Sequence, residues 1–83
     1  MSILRMPAVK VETGYRSHAS IYTAIREGLF TKPVPIGQRS VGWPDDEVTA
    51  INTARIAGHT DDAIRALVDR LHTKRQERAM ALA

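Results

Sequence analysis

Cysteine is absent from the 83 residues. That excludes disulfide staples, thiolate metal sites and thiol catalysis, and it agrees with a reducing cytosol. Long apolar runs are also missing. None approaches the roughly 20 residues that span a bilayer, and the opening Met1-Ser2-Ile3-Leu4-Arg5 carries no secretory hydrophobic region. The expected location is therefore cytoplasmic, away from any membrane. His18, His59 and His72 have no metal-ligand spacing to one another or to carboxylates. The five glycines stand singly, so no phosphate loop is present. Neither a Ser-His-Asp order nor a pair of catalytic carboxylates suggests itself. Asp45-Asp46-Glu47 reads better as the start of a helix than as a chelator. The expectation is a protein that is not an enzyme and carries no metal or cofactor.

Acids are scarce in one particular place. From residue 14 to residue 43 the charges are Arg16, Arg26, Lys32 and Arg39 against Glu27 alone. The chain as a whole has a net charge of +3 and a pI near 9.8, which taken alone is weak support for a nucleic-acid partner. The acids gather instead at 45–47 and 61–62, where they complement the positive ends of helices. Eighty-three residues make a small domain, near the lower limit for a core that stands alone.

The stretch 17–30 organises the rest. Ser17 is a natural N-cap, Ile21, Ile25 and Leu29 form a stripe at helical spacing, and Gly28 offers a stop. The other face holds Ala19, Ser20, Tyr22, Thr23 and Arg26. It is small, hydroxyl-rich and cationic, and suits a surface of phosphates and base edges. Before it, residues 4–13 read as a helix with Pro7 near its first position, Gly14 after its end, and Leu4, Val9 and Val11 as its buried side. Two helices joined through Gly14-Tyr15-Arg16 make either a helix-turn-helix or a plain corner of a helical bundle.

After residue 31 the period changes to two. Val34 and Ile36 alternate with prolines, and Val41 and Trp43 alternate with Ser40 and Gly42. This predicts a β-hairpin with a proline-marked edge. Val34, Ile36, Val41 and Trp43 would face the core, Gln38 and Arg39 the tip, and Lys32 the base. The hairpin is a wing that reaches phosphates, or it merely closes the core. Residues 44–57 predict a helix closed by Gly58, with Val48, Ile51 and Arg55 along one side, Ala50, Ala54 and Ala57 close by, and Arg55 snorkelling at the edge. Thr60 caps a last helix expected from about 61 to 76, fraying beyond. Its stripe of Ile64, Leu67, Val68 and Leu71 covers the domain's own core or pairs with a second copy. Lys74, Arg75 and Arg78 read as a solvated helix end.

Taken together, Leu4-Arg5-Met6-Pro7, Thr13-Gly14, Ser17, Ile21-Tyr22, Gly28-Leu29-Phe30, Lys32-Pro33-Val34, Ile36-Gly37, Arg39-Ser40-Val41-Gly42-Trp43 and Glu47-Val48 resemble the AlpA family of phage-type transcriptional regulators. The likeness runs over about residues 4–58. Two departures stand out: the stretch 15–20 is one residue longer than the commonest spacing, and the polar Lys10 sits where the family tends to be apolar. The resemblance implies a mainly α fold with a small β-hairpin, a winged helix-turn-helix similar to MerR-type and excisionase domains, over residues 1–58. A C-terminal helical extension would occupy 59–83. It implies a sequence-specific DNA-binding regulator of a prophage or integrative element, with double-stranded DNA as partner. Arg16, Ser17, His18, Ala19, Ser20, Tyr22, Thr23 and Arg26 would face the major groove, and Lys32, Gln38 and Arg39 would reach the backbone from the wing. A domain this small reads few base pairs, so a homodimer or a cooperative multimer on DNA is expected. RNA polymerase or an integrase are the protein partners such a role allows. Two rival readings remain: an excisionase-like recombination directionality factor using the same contacts, and a protein-interaction adaptor that binds no DNA.

Overall fold

The helix boundaries follow from local chemistry. The computed structural model describes residues 2–82. Helix α1 (Met6–Thr13) opens with Pro7 in its first turn and ends at Gly14, whose φ of +79° is a left-handed conformation that side chains resist. The Gly14 amide donates to the Lys10 carbonyl at 2.9 Å, closing the last turn. Helix α2 (His18–Arg26) follows within four residues. The Ser17 hydroxyl accepts from the Ser20 amide at 3.1 Å, so the cap read from the sequence is formed. Gly28 closes this helix in the left-handed region, with Leu29 N–H donating to the Ala24 carbonyl at 2.8 Å.

A hairpin of β2 (Val34–Pro35) and β3 (Val41–Pro44) comes next, paired Val34 to Gly42 and Pro35 to Val41. One strand was not foreseen. Residues Ile3–Arg5 form β1, antiparallel to β3 on its other side, so the sheet order is β1-β3-β2. Leu4 thus reaches the core from a strand, not from the first helix, and faces Trp43 across the ladder. Gly42 lies in the middle of this sheet, opposite both Arg5 and Val34. A Cβ there would collide with the Ile3 side chain and come within 2.9 Å of the Leu4 carbonyl oxygen, so the close approach of β1 requires glycine.

Helix α3 (Asp45–Ile56) leaves β3 directly. The Asp45 amide donates to the Ser2 carbonyl at 2.8 Å, and the Ser2 hydroxyl donates to the Asp45 carboxylate at 3.0 Å. Hydrogen bonding from the Ser2 backbone, then from its side chain, holds that carboxyl below its ordinary range. Asn52 donates to the Glu12 carbonyl at 2.8 Å and ties α3 to the end of α1. Helix α4 (Asp61–Leu82) starts at Thr60, which caps the Ala63 amide at 3.2 Å. It continues past residue 76, where fraying was expected.

The core is one cluster drawn from every helix and the sheet: Val9, Ile21, Ala24, Phe30, Trp43, Val48, Ile51, Ala54, Ile64 and Val68. Trp43 is wholly buried, and its indole N–H donates to the Thr31 carbonyl at 2.8 Å. Phe30 packs against it at 5.9 Å between ring centroids, and Tyr15 meets Phe30 edge-on at 6.2 Å. Two expectations are corrected and one open alternative is decided. Val11 is 81% exposed, because α1 turns Val9 inward and Val11 lies on the far side of so short a helix. Ile36 is 43% exposed, since the hairpin tip lifts away from the core. The stripe on α4 covers this chain's own core: Ile64 and Val68 are buried, and Leu67 and Leu71 pack against the cluster. It therefore does not serve as a free dimer seam.

Lys74 near the end of α4 is exposed as expected, but Arg75 is not a solvated cation. Glu47 is buried, at 2% exposure, although its place in the first turn of α3 suggested a surface acid. Arg75 explains this. Its guanidinium donates to both carboxylate oxygens of Glu47, Nε to Oε2 at 2.7 Å and Nη2 to Oε1 at 2.5 Å, and also to the Lys32 carbonyl at 2.7 Å. Arg78 pairs with Asp46 one turn further along. His72 Nε2 accepts from the Lys32 amide at 3.1 Å. Burial, followed by the charge of Arg75, pushes the His72 imidazole below its ordinary value. Together these bonds fasten α4 to the start of α3 and to the segment between α2 and the wing.

Candidate nucleic-acid interface

The exposed line of α2 is His18, Tyr22 and Arg26, one turn apart, with the exposed Ala19 beside it. The opposite side carries the buried Ile21 and Ala24. Ser17 and Ser20 are half-buried, their hydroxyls 3.0 Å apart and committed to the cap. Thr23 accepts from the Arg26 guanidinium at 3.2 Å, which holds that arginine along the helix. Arg16 is exposed just ahead of the cap.

The wing tip spans residues 36–40 and is closed by the Ile36 amide donating to the Ser40 carbonyl at 2.9 Å. Gln38 and Arg39 are exposed on it. The tip and α2 share a face of the molecule. His18 and Tyr22 from α2, and Arg39, Ser40 and Val41 from the wing, line a cleft of about 370 Å³. Its remaining walls are Arg5 at the end of β1 and Met6 and Pro7 at the start of α1. No lining residue is an acid. Tyr22 is 41% exposed, so its ring stands at the cleft and is not core packing.

The site residues read from the sequence therefore divide. His18, Tyr22 and Arg39 come together in the cleft, with Arg26 on the same helical line. Lys32 is exposed but lies beside α4, its backbone held by His72 and Arg75. The far end of α2 is also taken by α4, where Arg65 donates to the Glu27 carbonyl at 2.8 Å. Arg5 was missed. It stands in the Leu4-Arg5-Met6-Pro7 run that carries the resemblance, but no local pattern gives it a contact; the pairing of β1 with β3 carries it to the wing, where it donates to the Ser40 hydroxyl at 3.2 Å. Among the described residues no group of three His, Asp or Glu side chains can hold a metal ion, and no helix is long and apolar enough to cross a membrane.

The family model described as prophage CP4-57 regulatory protein (AlpA) matches residues 2–52, more than half of the chain. The chain belongs to the AlpA family. The matched stretch of this AlpA-family chain takes in β1, both helices of the helix-turn-helix and the whole wing, and ends inside α3. The chain is also similar to the uncharacterized protein ORF88 of Enterobacteria phage P4, with 44% identity over 55 residues. That alignment covers 66% of this chain and 61% of the phage protein, so the chain spans about three-fifths of the length of this curated relative. No solved structure matches the chain. Helix α4 lies outside the stretch that carries the family match.

Proposed function

We propose that this AlpA-family chain is a sequence-specific DNA-binding regulator of a prophage or integrative element. Helix α2 enters the major groove with His18, Ala19, Tyr22 and Arg26 outward, and the wing follows the backbone with Gln38 and Arg39. The observation that carries this reading is the acid-free cleft that joins α2 to the wing tip. A phosphate strand running between a recognition helix and a wing needs polar contacts from both, and His18 of α2 and Arg39 of the wing both line this cleft. Phosphate contacts set the register, and the side chains of α2 read base edges.

One such domain reads few base pairs, so useful specificity calls for a second copy on the same DNA. With the α4 stripe covering its own core, the second copy is placed by repeated sites side by side on the duplex. Roughly three to five phosphate contacts give a slope of about −3 to −5 in log K against log salt. The test is titration of wild type and Arg39→Ala against a duplex selected from a random pool, at several salt concentrations. Arg39→Ala is expected to bind more weakly and to lose about one unit of slope. No binding by the wild type at moderate salt would overturn the reading in favour of a protein-interaction adaptor.

A further inference from the structure

We infer that Arg5, from β1, is a third DNA-contacting element beside the recognition helix and the wing. With His18 and Arg39 it seats one sugar-phosphate unit of the backbone in the cleft. The inference rests on the DNA-binding reading and adds to it a residue that neither α2 nor the wing supplies.

Four observations converge. First, Arg5, His18 and Arg39 come from three separate elements and line the same cleft, which no acid lines. Two guanidinium groups gathered without a counter-ion attract an anion, and the imidazole of His18 stands beside them. Second, the lining is two-toned. Met6, Pro7 and Val41 give an apolar wall, while Arg5, Arg39, Ser40 and Tyr22 give donors. A deoxyribose joined to a phosphate has the same two halves. Third, the volume of about 370 Å³ lies in the range of roughly 300–1,000 Å³ usual for sites that hold small ligands. Fourth, Arg5 is exposed, yet it is held. One guanidinium nitrogen donates to Ser40 on the wing at 3.2 Å, and a guanidinium has further donors to offer. Arg5 is also the N-cap residue of α1, and no side chain caps that helix, so its positive end is open where Met6 and Pro7 meet the cleft.

The experiment uses the full chain and the selected duplex, read by fluorescence anisotropy. Methylphosphonate is substituted at each backbone position in turn, and Arg5→Gln and Ser40→Ala are compared with wild type. For the wild type, one neutralised phosphate per bound copy should cost roughly tenfold in affinity. Arg5→Gln should bind the unmodified duplex roughly tenfold more weakly, equally on matched and mismatched sequence. It should lose part of the salt slope, up to about 0.9, and respond less than wild type to that one methylphosphonate, because Arg39 still faces the same phosphate. Ser40→Ala removes the brace but keeps the charge, and should retain the full slope and the methylphosphonate penalty. Thermal melting of each variant checks that the exposed substitutions leave the fold intact. If wild type binds and Arg5→Gln keeps the full slope, the inference fails while the DNA-binding reading stands. If Ser40→Ala reproduces the loss, Arg5 only braces the wing and the inference fails again. If wild type does not bind duplex at all, both fall together.

Discussion

Removing the Arg75 guanidinium should damage the fold as severely as emptying part of its core. Glu47 is 2% exposed, the Arg75 side chain is 22% exposed, and two hydrogen bonds of 2.7 and 2.5 Å join them. In Arg75→Ala the carboxylate stays buried with neither bond, and the Lys32 carbonyl loses its donor as well. Breaking a buried pair from one side costs about 3–5 kcal/mol. A chain of this length has about 4–12 kcal/mol of stability to lose. The melting temperature should fall by at least about 12 °C, at about 4 °C or more per kcal/mol. The assay is urea unfolding followed by the fluorescence of Trp43, which is wholly buried and the single tryptophan of the chain. The midpoint should drop with little change of slope. The double variant Glu47→Leu, Arg75→Met supplies the control. Replacing both partners by apolar side chains is often neutral or stabilising, so it should recover most of the loss. A cost for Arg75→Ala under about 1 kcal/mol, the range of a solvent-exposed pair, would refute the reasoning. So would a double variant as damaged as the single one.

Gly42→Ala should cost about 1–3 kcal/mol by overpacking β1 against β3, read by thermal melting. Gly37→Ala, with nothing within 4 Å of the new methyl group, should stay within about 0.5 kcal/mol of wild type. Ser17→Ala should cost about 1 kcal/mol through the lost cap of α2, whereas Ser17→Asp should keep the cap and yet weaken DNA binding by placing an acid at the start of the recognition helix. His72 supplies a pH dependence. Its folded-state imidazole lies below the ordinary value of 6.5, through burial and then Arg75, with Lys32 acting the same way and Glu47 and Asp69 opposing. The neutral ring accepts from Lys32, so its contribution is full above 6.5 and fades as pH falls through the lower folded value. The stability difference between wild type and His72→Gln should therefore shrink from pH 7.5 to pH 5; a constant difference would sink that account.

Much of the fold was legible because it is written in local chemistry. Ser17, Thr60, Gly14, Gly28 and Gly58 mark helix ends by caps and left-handed turns, and alternation around Gly37 marks the wing. What escaped was non-local. β1 is three residues long and runs straight into α1, so Leu4 fell in step with Val9 as part of a helix. Glu47 looked like any acid at a helix start, because the partner that permits its burial is 28 residues away. The same holds for the cleft. His18, Tyr22 and Arg39 could be assigned to one face from the order of elements, but Arg5 reaches that face only through a register that no local pattern encodes. The solvated reading of Arg75 failed for the same reason: its carboxylate lies on another helix.

The position of that carboxylate bears on how relatives can exchange parts. Glu47 sits inside the stretch shared with the family, while its guanidinium sits beyond the stretch's end. A graft of residues 2–52 onto a foreign tail would carry an orphaned negative charge into the interior. Exchanging the matched stretch between such proteins therefore calls either for moving the tail along with it, or for a neutral side chain at position 47 before the cut is made.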